Sequence, residues 1–415
     1  MISQTNKYVG LKIQPAHLAK TAIILIQFLL IIFIAFKIDK MTAGDLTSSL
    51  FFYNYDFGFS KRAFLGALLS NYFPLNTFAF DSLITAFRYM HILCGTLFVC
   101  LFYKAVPTKN NANNYIYFAF SLIYIASPFF IKQIVFLNLK VDFIGIMAII
   151  FLIINTENTP SKLTLVIKHA FVQTVIIGLI LIHEAQLLLS VPFIIMSHAL
   201  YLIIKLKLSY YKVMLHLIPI MFTIVCLTLA LITNAEPNIS QVELFNYHMG
   251  KITTPEIYFG ANVMDPGHIR IEPLYSHIHD NLEITKKFFL SRAETFIFLT
   301  PQYFIIFTPF LLFFFHLLKN ITCKELRILS IVWCSLIFIT HLILSFIAID
   351  NMRWAANAMV LLMFLPLILS ILSMEVKEKL VSYINSHKVI ISCLAIYSFL
   401  LHPAGIVFPH TFYGI

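Results

Sequence analysis

Four consecutive residues in the middle of a long apolar segment, His183-Glu184-Ala185-Gln186, carry the groups best suited to chemistry. Apart from these residues, segment 163–204 is an almost unbroken run of apolar residues. As one helix this segment would be about 60 Å long at ~1.5 Å per residue, twice the hydrocarbon thickness of a bilayer. We therefore expect the chain to turn here, which places a carboxylate and an imidazole at one membrane face. The plain alternative is a solvated polar turn, for which Gly, Asn or Ser would be more usual.

Other charged residues are predicted at the same outer depth. Arg88 and His91 are three residues apart, so they share a helix face. Singly, these residues have ordinary explanations as snorkelling cations, local ion pairs or interfacial anchors. Together they indicate a site for an anionic, lipid-tethered substrate. The residues expected to converge are Asp56, Lys61, Arg62, Arg88, Lys140, Asp142, Glu184, Asp350 and Arg353.

Composition fixes the class of protein before any motif is considered. The 415 residues are 60% hydrophobic and only 12% charged, which excludes an ordinary soluble domain. The net charge of +10 comes from basic residues spread singly along short loops, which is typical of topology determinants rather than of a nucleic-acid surface. We expect the six cysteines to lie in spans or on the cytoplasmic side, leaving the outer loops without a disulfide framework.

The expected fold is an all-α polytopic transmembrane bundle, one integral membrane domain over residues 1–415, with its N-terminus inside and its C-terminus outside. The first apolar run is expected to be a retained helix rather than a cleaved signal peptide. Every short inner loop then carries at least two positive charges. The eleven predicted spans lie near 18–36, 81–103, 114–131, 141–155, 164–182, 187–204, 213–233, 296–318, 328–349, 355–373 and 388–404.

Two outer loops, 37–80 and 234–293, are long enough to form substructure. In the first, apolar residues recur at helical spacing after Arg62, which predicts an interfacial amphipathic helix. In the second, Ser240-Gln241-Val242-Glu243 has the spelling of a helix capping box. His277 and His279 have the side chains of metal ligands, but two residues are weak evidence and we expect no metal.

The distribution of acids places the expected chemistry on the extracytoplasmic side of the membrane. Of nineteen Asp and Glu residues, only four are assigned to the inner side: Glu157, Glu325, Glu375 and Glu378. The inner loops are too short for a nucleotide-binding domain, and the chain has no Walker loop, no G-x-G-x-x-G and no D-x-D. A cytoplasmic nucleotide-sugar or ATP substrate is therefore not expected.

These features together resemble a known class of membrane enzymes. An acid in the first outer loop, short inner loops, a large outer loop with Arg270 and acids at the outer rim resemble the GT-C type of membrane-embedded glycosyltransferases. Among these the chain is most similar to the Wzy-type polymerases of O-antigen and capsule polysaccharide. It lacks the W-W-D motif of the oligosaccharyltransferases and any strict ligase signature.

The resemblance implies a repeat-unit oligosaccharide on undecaprenyl pyrophosphate as substrate, an inner-membrane location and an outer-loop arginine on the pyrophosphate. Membrane lipid and a chain-length regulator are the other expected partners, with no nucleic acid and no cofactor. From the chemistry we expect Glu184 or Asp56 as general base, with His183 orienting the acid or acting as base itself. The expected ligands of the phosphates and sugars are Lys61, Arg62, Arg88, Lys140, Arg270, Asp350 and Arg353.

Three alternatives stay open at this point. One is a sibling activity, the transfer of a single sugar onto O-antigen. The second is a flippase for lipid-linked oligosaccharides, although the sequence has no internal repeat and its charges concentrate at the outer rim. The third is a membrane O-acyltransferase, which would need an acyl donor reaching from the inside.

Overall fold

The computed structural model describes residues 15–37, 64, 67–68, 77–106, 114–131, 133, 142–156, 160–233, 240, 243, 293–347 and 351–401. These residues are helical, with short connections and no strand among them. The helices, in order, are α1 (Pro15–Lys37), α2 (Thr77–Ala105), α3 (Asn114–Ile125), α4 (Pro128–Phe130), α5 (Asp142–Ile154), α6 (Lys162–Ile182), α7 (Gln186–Leu189), α8 (Val191–Leu200, extended by a π-turn, Tyr201–Lys205), α9 (Tyr210–Thr233), α10 (Ala293–Ile321), α11 (Lys324–Ile347), α12 (Asn351–Leu372), α13 (Met374–Ser386) and α14 (Lys388–Leu400).

The predicted turn in the longest apolar segment is confirmed. Helix α6 ends at Ile182, and His183 adopts an extended conformation with φ −161° and ψ 122°. The next helix begins at Gln186, and the chain breaks again at Ser190 before the proline-containing start of α8. The polar residues therefore occupy the break between two apolar helices rather than the inside of one.

Helix α12 lies at the centre of the bundle. Of its membrane-length segment, 89% is buried against other helices, as expected for a helix that is apolar on all sides. Phe364 stacks on Phe98 of α2, with ring centroids 5.4 Å apart. The indole nitrogen of Trp333 in α11 donates to the Leu361 carbonyl at 3.1 Å. The Ser370 hydroxyl donates to the Ala105 carbonyl at 2.6 Å, which satisfies a carbonyl at the end of α2.

The outermost helices carry apolar side chains toward the surroundings. Only 17% of the membrane-length segment of α9 is buried, and Tyr211 and Phe222 are 73% and 70% exposed. Large apolar surfaces of this kind indicate contact with lipid. In the described ranges, five helices are long and apolar enough to cross a membrane, or six if α13 and α14 form one bent span. The chain is thus a multi-pass membrane protein, and the count of eleven spans stays a prediction.

Most predicted spans coincide with helices to within about four residues, but two regions differ in addition to the break at Ser190. The predicted span 114–131 breaks after Ile125, because Ser127 precedes Pro128 and its side chain caps the short α4 by accepting from the Phe130 amide. The predicted inner loop after residue 373 is instead the amphipathic helix α13, which bends 84° into α14. Ser373 caps α13, and Lys379 pairs with Glu375 at 2.6 Å.

Lysines from several predicted inner segments gather at one end of the bundle. Lys104 donates to the Ile154 carbonyl, and Lys168 donates to the Asn155 carbonyl at 3.0 Å, so both lie at the C-terminal end of α5. Burial lowers the pKa of Lys104, and the nearby charges of Lys205 and Lys377 lower it further. We call this the lysine end of the bundle.

Little of the two predicted outer loops belongs to the described residues. The interfacial helix after Arg62 falls mostly outside them, although Phe64, Ala67 and Leu68 are helical. The predicted capping box is confirmed: the Glu243 amide donates to the Ser240 hydroxyl at 3.2 Å, and the Ser240 amide donates to the Glu243 carboxylate at 3.0 Å. Hydrogen bonds from the Ser240 hydroxyl and amide lower the pKa of Glu243.

Candidate functional site

The break between α6 and α7 presents one acid to the surroundings. The side chain of Glu184 is 31% exposed and that of His183 is 18% exposed. The Ala185 amide donates to Nδ1 of His183 at 3.1 Å, so this nitrogen acts as an acceptor and carries no proton. A carboxylate oxygen of Glu184 lies 3.7 Å from the same nitrogen. Because the Ala185 amide already occupies the Nδ1 lone pair, the Glu184 carboxylate is the more available proton acceptor of the two, and His183 stabilises the turn.

A buried polar pair lies beneath this turn. The carboxamide nitrogen of Gln186 donates to a carboxylate oxygen of Asp142 at 3.4 Å, joining α7 to the first residue of α5. Gln186 is fully buried and Asp142 is 6% exposed. The carboxamide oxygen of Gln186 is also buried, and none of the described groups donates a hydrogen bond to it. That oxygen is an acceptor of the kind that a hydroxyl group would satisfy.

Close packing holds α5 against the second break, at Ser190. A Cβ atom at Gly145 would overlap both Oγ and Cβ of Ser190 and would lie 3.3 Å from the carboxamide oxygen of Gln186. Glycine at this position therefore lets the backbone of α5 approach the broken segment. The short distance between the two elements is what brings Asp142 within reach of Gln186.

The start of α12 and the end of α11 close the site from another side. Buried Trp354 packs against Leu189 and Leu344, with Ala185 at the edge of the same cluster. The carboxamide nitrogen of Asn357 lies 3.3 Å from the Leu189 carbonyl and 3.1 Å from Nε2 of His341.

The hydrogen bonds of His341 fix its tautomer. Its Nδ1 lies 2.8 Å from the Ile337 carbonyl and must donate, so the neutral ring accepts at Nε2 from the Asn357 carboxamide. This uncharged polar chain binds the broken α7 segment to the central helix.

Helix α2 contributes the predicted basic face. Arg88 is half-buried and His91 is 3% exposed, whereas their neighbour Tyr89 is 63% exposed. The ring of His91 lies 4.2 Å from the ring of Phe143, which follows Asp142 at the start of α5. The two predicted residues therefore share the face of α2 that packs toward the site.

The structure brings together part of the set that the sequence predicts. Gln186, two residues after Glu184, contacts Asp142, and His91, one turn after Arg88, contacts Phe143, so both segments reach the start of α5, at the end of that helix opposite to the lysine end. Arg353 lies in the first turn of α12, one residue before Trp354; the structure describes its backbone but not its side chain. Also outside the described residues are Asp56, Lys61, Arg62, Lys140, Arg270 and Asp350.

Sequence reasoning missed the partners of these residues. It did not pair Asp142 with Gln186, and it gave no role to Asn357, Gly145 or Ser190. Signals were present: Asp142 opens a strongly apolar helix, and Asn357 is a carboxamide beyond the first turn of an otherwise mostly apolar one. A buried polar group in such a setting needs a partner, but the sequence does not say which group supplies it.

Comparison of the chain with protein-family models, with curated proteins and with solved structures finds no match. Within the described part of the chain, no group of three His, Cys, Asp or Glu side chains is placed to hold a metal ion. The arrangement consists of an accessible carboxylate, a buried acid–amide pair and cationic residues on the adjoining elements. It has the groups needed to accept a proton from a hydroxyl and to bind an anionic partner.

Proposed function

We propose that this protein transfers a glycosyl group from an undecaprenyl-pyrophosphate-linked oligosaccharide to a hydroxyl group of a second glycan, at the outer face of the cell's inner membrane. Polymerisation of a repeat unit of O-antigen or capsule is the preferred form of this reaction. The observation that carries the proposal is the break at 183–186, where Glu184 is accessible above the buried Asp142–Gln186 pair.

The proposed reaction requires one base and one stabilised leaving group. Glu184 accepts the proton of the acceptor hydroxyl as that oxygen forms a bond to the anomeric carbon of the donor. The bond between this carbon and the pyrophosphate oxygen breaks, and its electron pair leaves with the undecaprenyl pyrophosphate. The buried carboxamide of Gln186, which donates to Asp142, holds the turn beneath Glu184 in place.

Cations stabilise the departing pyrophosphate in this scheme. Arg353 lies in the first turn of α12, where the helix dipole also favours an anion. The guanidinium group binds phosphate oxygens in a bidentate manner and stays charged at any relevant pH. Arg88 is a second candidate on α2, and Arg62 and Arg270 would add to the set from the outer loops.

The proposed orientation follows from charge. The lysine end collects cations from several segments, which favours the cytoplasmic side, and the site lies at the other end of α5. The eleven-span topology completes this arrangement, with residues 234–293 on the extracytoplasmic side.

A deletion strain distinguishes this activity from its alternatives. Loss of a polymerase leaves surface glycan with single repeat units, whereas loss of a flippase removes surface repeats altogether. Loss of a single-sugar transferase leaves polymer length unchanged and lowers the mass of each repeat by one sugar. The measurement is gel separation and mass spectrometry of surface glycan from deleted and complemented cells. Unchanged length and unchanged repeat mass would contradict glycosyl transfer.

A further inference from the structure

A groove runs between α10 and α11 on the surface of the bundle. Its volume is about 530 Å³. Helix α10 contributes Phe315, Leu318 and Lys319, Thr322 comes from the connection that follows α10, and the facing wall comes from α11. Phe315 is 50% exposed, so the groove opens outward rather than into the core.

The length of the groove matches one leaflet of a bilayer. The α11 wall runs from Arg327 through Ile331 and Ser335 to Ile339 along one face of the helix. Twelve residues of helix correspond to about 18 Å at ~1.5 Å per residue, and half of a ~30 Å hydrocarbon core is about 15 Å. A lipid acyl chain that lies along this wall would therefore extend from the membrane interface to about the midplane.

Charge is confined to one end of the groove. Lys319 and Arg327 line that end, and the Arg327 guanidinium donates to the Lys319 carbonyl at 3.2 Å, which holds both residues at the opening. Glu325 is exposed at the same end of α11 but does not line the groove. The groove opening is therefore positive, and it would attract a phosphate group.

The rest of the wall is effectively apolar. The hydroxyl groups of Thr322 and Ser330 donate to the carbonyls of Leu318 and Leu326, at 2.6 and 2.8 Å, so the helices themselves satisfy these donors. Beyond them Phe338 and Ile339 are 67% and 52% exposed. Such a surface is suited to an acyl chain.

We propose that this groove is a binding site for an anionic phospholipid, with the phosphate group at Lys319 and Arg327 and one acyl chain along the α11 wall. The charged end of the groove lies toward the lysine end of the bundle. His316 of α10 forms a hydrogen bond with the Tyr383 hydroxyl of α13 at 2.8 Å, and the charge of Lys377, also in α13, lowers the pKa of Lys104 at the lysine end. The bound lipid thus belongs to the leaflet opposite the proposed glycosyl site, and the proposal does not depend on that function.

The test uses the full-length protein in nanodiscs that contain either phosphatidylglycerol or phosphatidylcholine with a photoreactive diazirine acyl chain. We expect phosphatidylglycerol to label peptides of α10 and α11 at least fivefold more than phosphatidylcholine. The double substitution Lys319→Gln with Arg327→Gln should abolish this preference. Lys324→Gln removes an exposed cation at the same end, outside the groove, and should leave the preference unchanged.

Further arms separate the groove from general lipid contact. Ser335→Trp should fill the apolar wall and reduce labelling by both lipids, while inorganic phosphate should not compete. Equal labelling by both lipids in the unmodified protein would mean surface lipid only and would overturn the proposal. The proposal would also be overturned if Lys324→Gln lost the preference to the same extent, or if inorganic phosphate competed with the lipid. Chemical crosslinking that shows a second copy of the chain covering these peptides would overturn it as well.

Discussion

At the scale of single residues, Glu184 and His183 have different surroundings although they are neighbours. The Ala185 amide donates to Nδ1 of His183, whereas the carboxylate of Glu184 is partly exposed. The sequence left open which of the two would serve as the proposed base, and the direction of one backbone amide favours Glu184. It did predict that both lie at a helix break, because a segment of this length cannot cross a bilayer once.

Gly145 offers a sharp test of the packing beneath the site. Gly145→Ala should lower the melting temperature of the purified protein, because the new Cβ overlaps Ser190 and overpacking of this kind costs about 1–3 kcal/mol. Gly178→Ala is the matched control, since nothing lies within 4 Å of a Cβ there. The measurement is thermal unfolding in detergent, followed by size-exclusion chromatography.

A second substitution makes the test specific to Ser190. Adding Ser190→Gly to Gly145→Ala removes the atoms that clash and should restore much of the lost stability. If Gly145→Ala behaves like Gly178→Ala, the close approach of α5 to the break does not exist.

Arg353 tests the proposed phosphate contact. Arg353→Lys should shorten the surface polysaccharide even though the charge is kept, because a lysine ammonium cannot reproduce a bidentate contact. The readout is polymer length on a gel, at equal protein levels by immunoblot. Normal polymer from both Arg353→Lys and Arg353→Ala would make Arg353 a membrane-interface anchor.

At the scale of elements, the site depends on short, broken helices held by a long central one. Helix α7 has only four residues, so its position comes from its contacts with α5, α11 and α12 rather than from its own hydrogen bonds. Apolar patterning predicted the long helices and the break. It could not predict that α13 forms an amphipathic helix at the lysine end, since its lysines also fit a short inner loop.

Asn357 is the polar connection between α12 and the broken segment. Asn357→Leu should destabilise the protein by about 1–3 kcal/mol, because the carbonyl of Leu189 and Nε2 of His341 both lose a donor. Asn320→Leu is the control, since its exposed side chain bonds only within its own helix, to the His316 carbonyl at 2.7 Å. Thermal unfolding should separate the two variants, and an equal shift would contradict the connection.

At the scale of the whole molecule, lysines gather at one end of the bundle, and this distribution of charge suggests an orientation in the membrane. The composition predicted a polytopic all-α protein, and apolar helices of spanning length agree with it. Sequence periodicity cannot reveal that α12 is central and α9 peripheral, because both are continuously apolar. Their different burial follows from which helices surround them.

The orientation is testable by labelling of single cysteines in a variant that lacks the six native ones. Ser240→Cys should react with a membrane-impermeant maleimide in intact spheroplasts, because its loop is predicted to be outside. Glu378→Cys, at an exposed position of α13 near the lysine end, should react only after the membrane is permeabilised. The reverse pattern would place the proposed site in the cytoplasm and remove the proposed substrate.

The central claim is that the Glu184 carboxylate is the base of an outer-face glycosyl transfer. Its most direct test is polymer length in a deletion strain that carries Glu184→Gln, which keeps the size of the side chain and removes its basicity. Since a general base contributes about 10²–10⁴-fold to rate, we expect only single repeat units from Glu184→Gln and partial polymer from Glu184→Asp. The same change in the exposed acid of α13, Glu378→Gln, should leave the polymer unchanged. Full-length polymer from Glu184→Gln, at normal protein levels, would contradict the account.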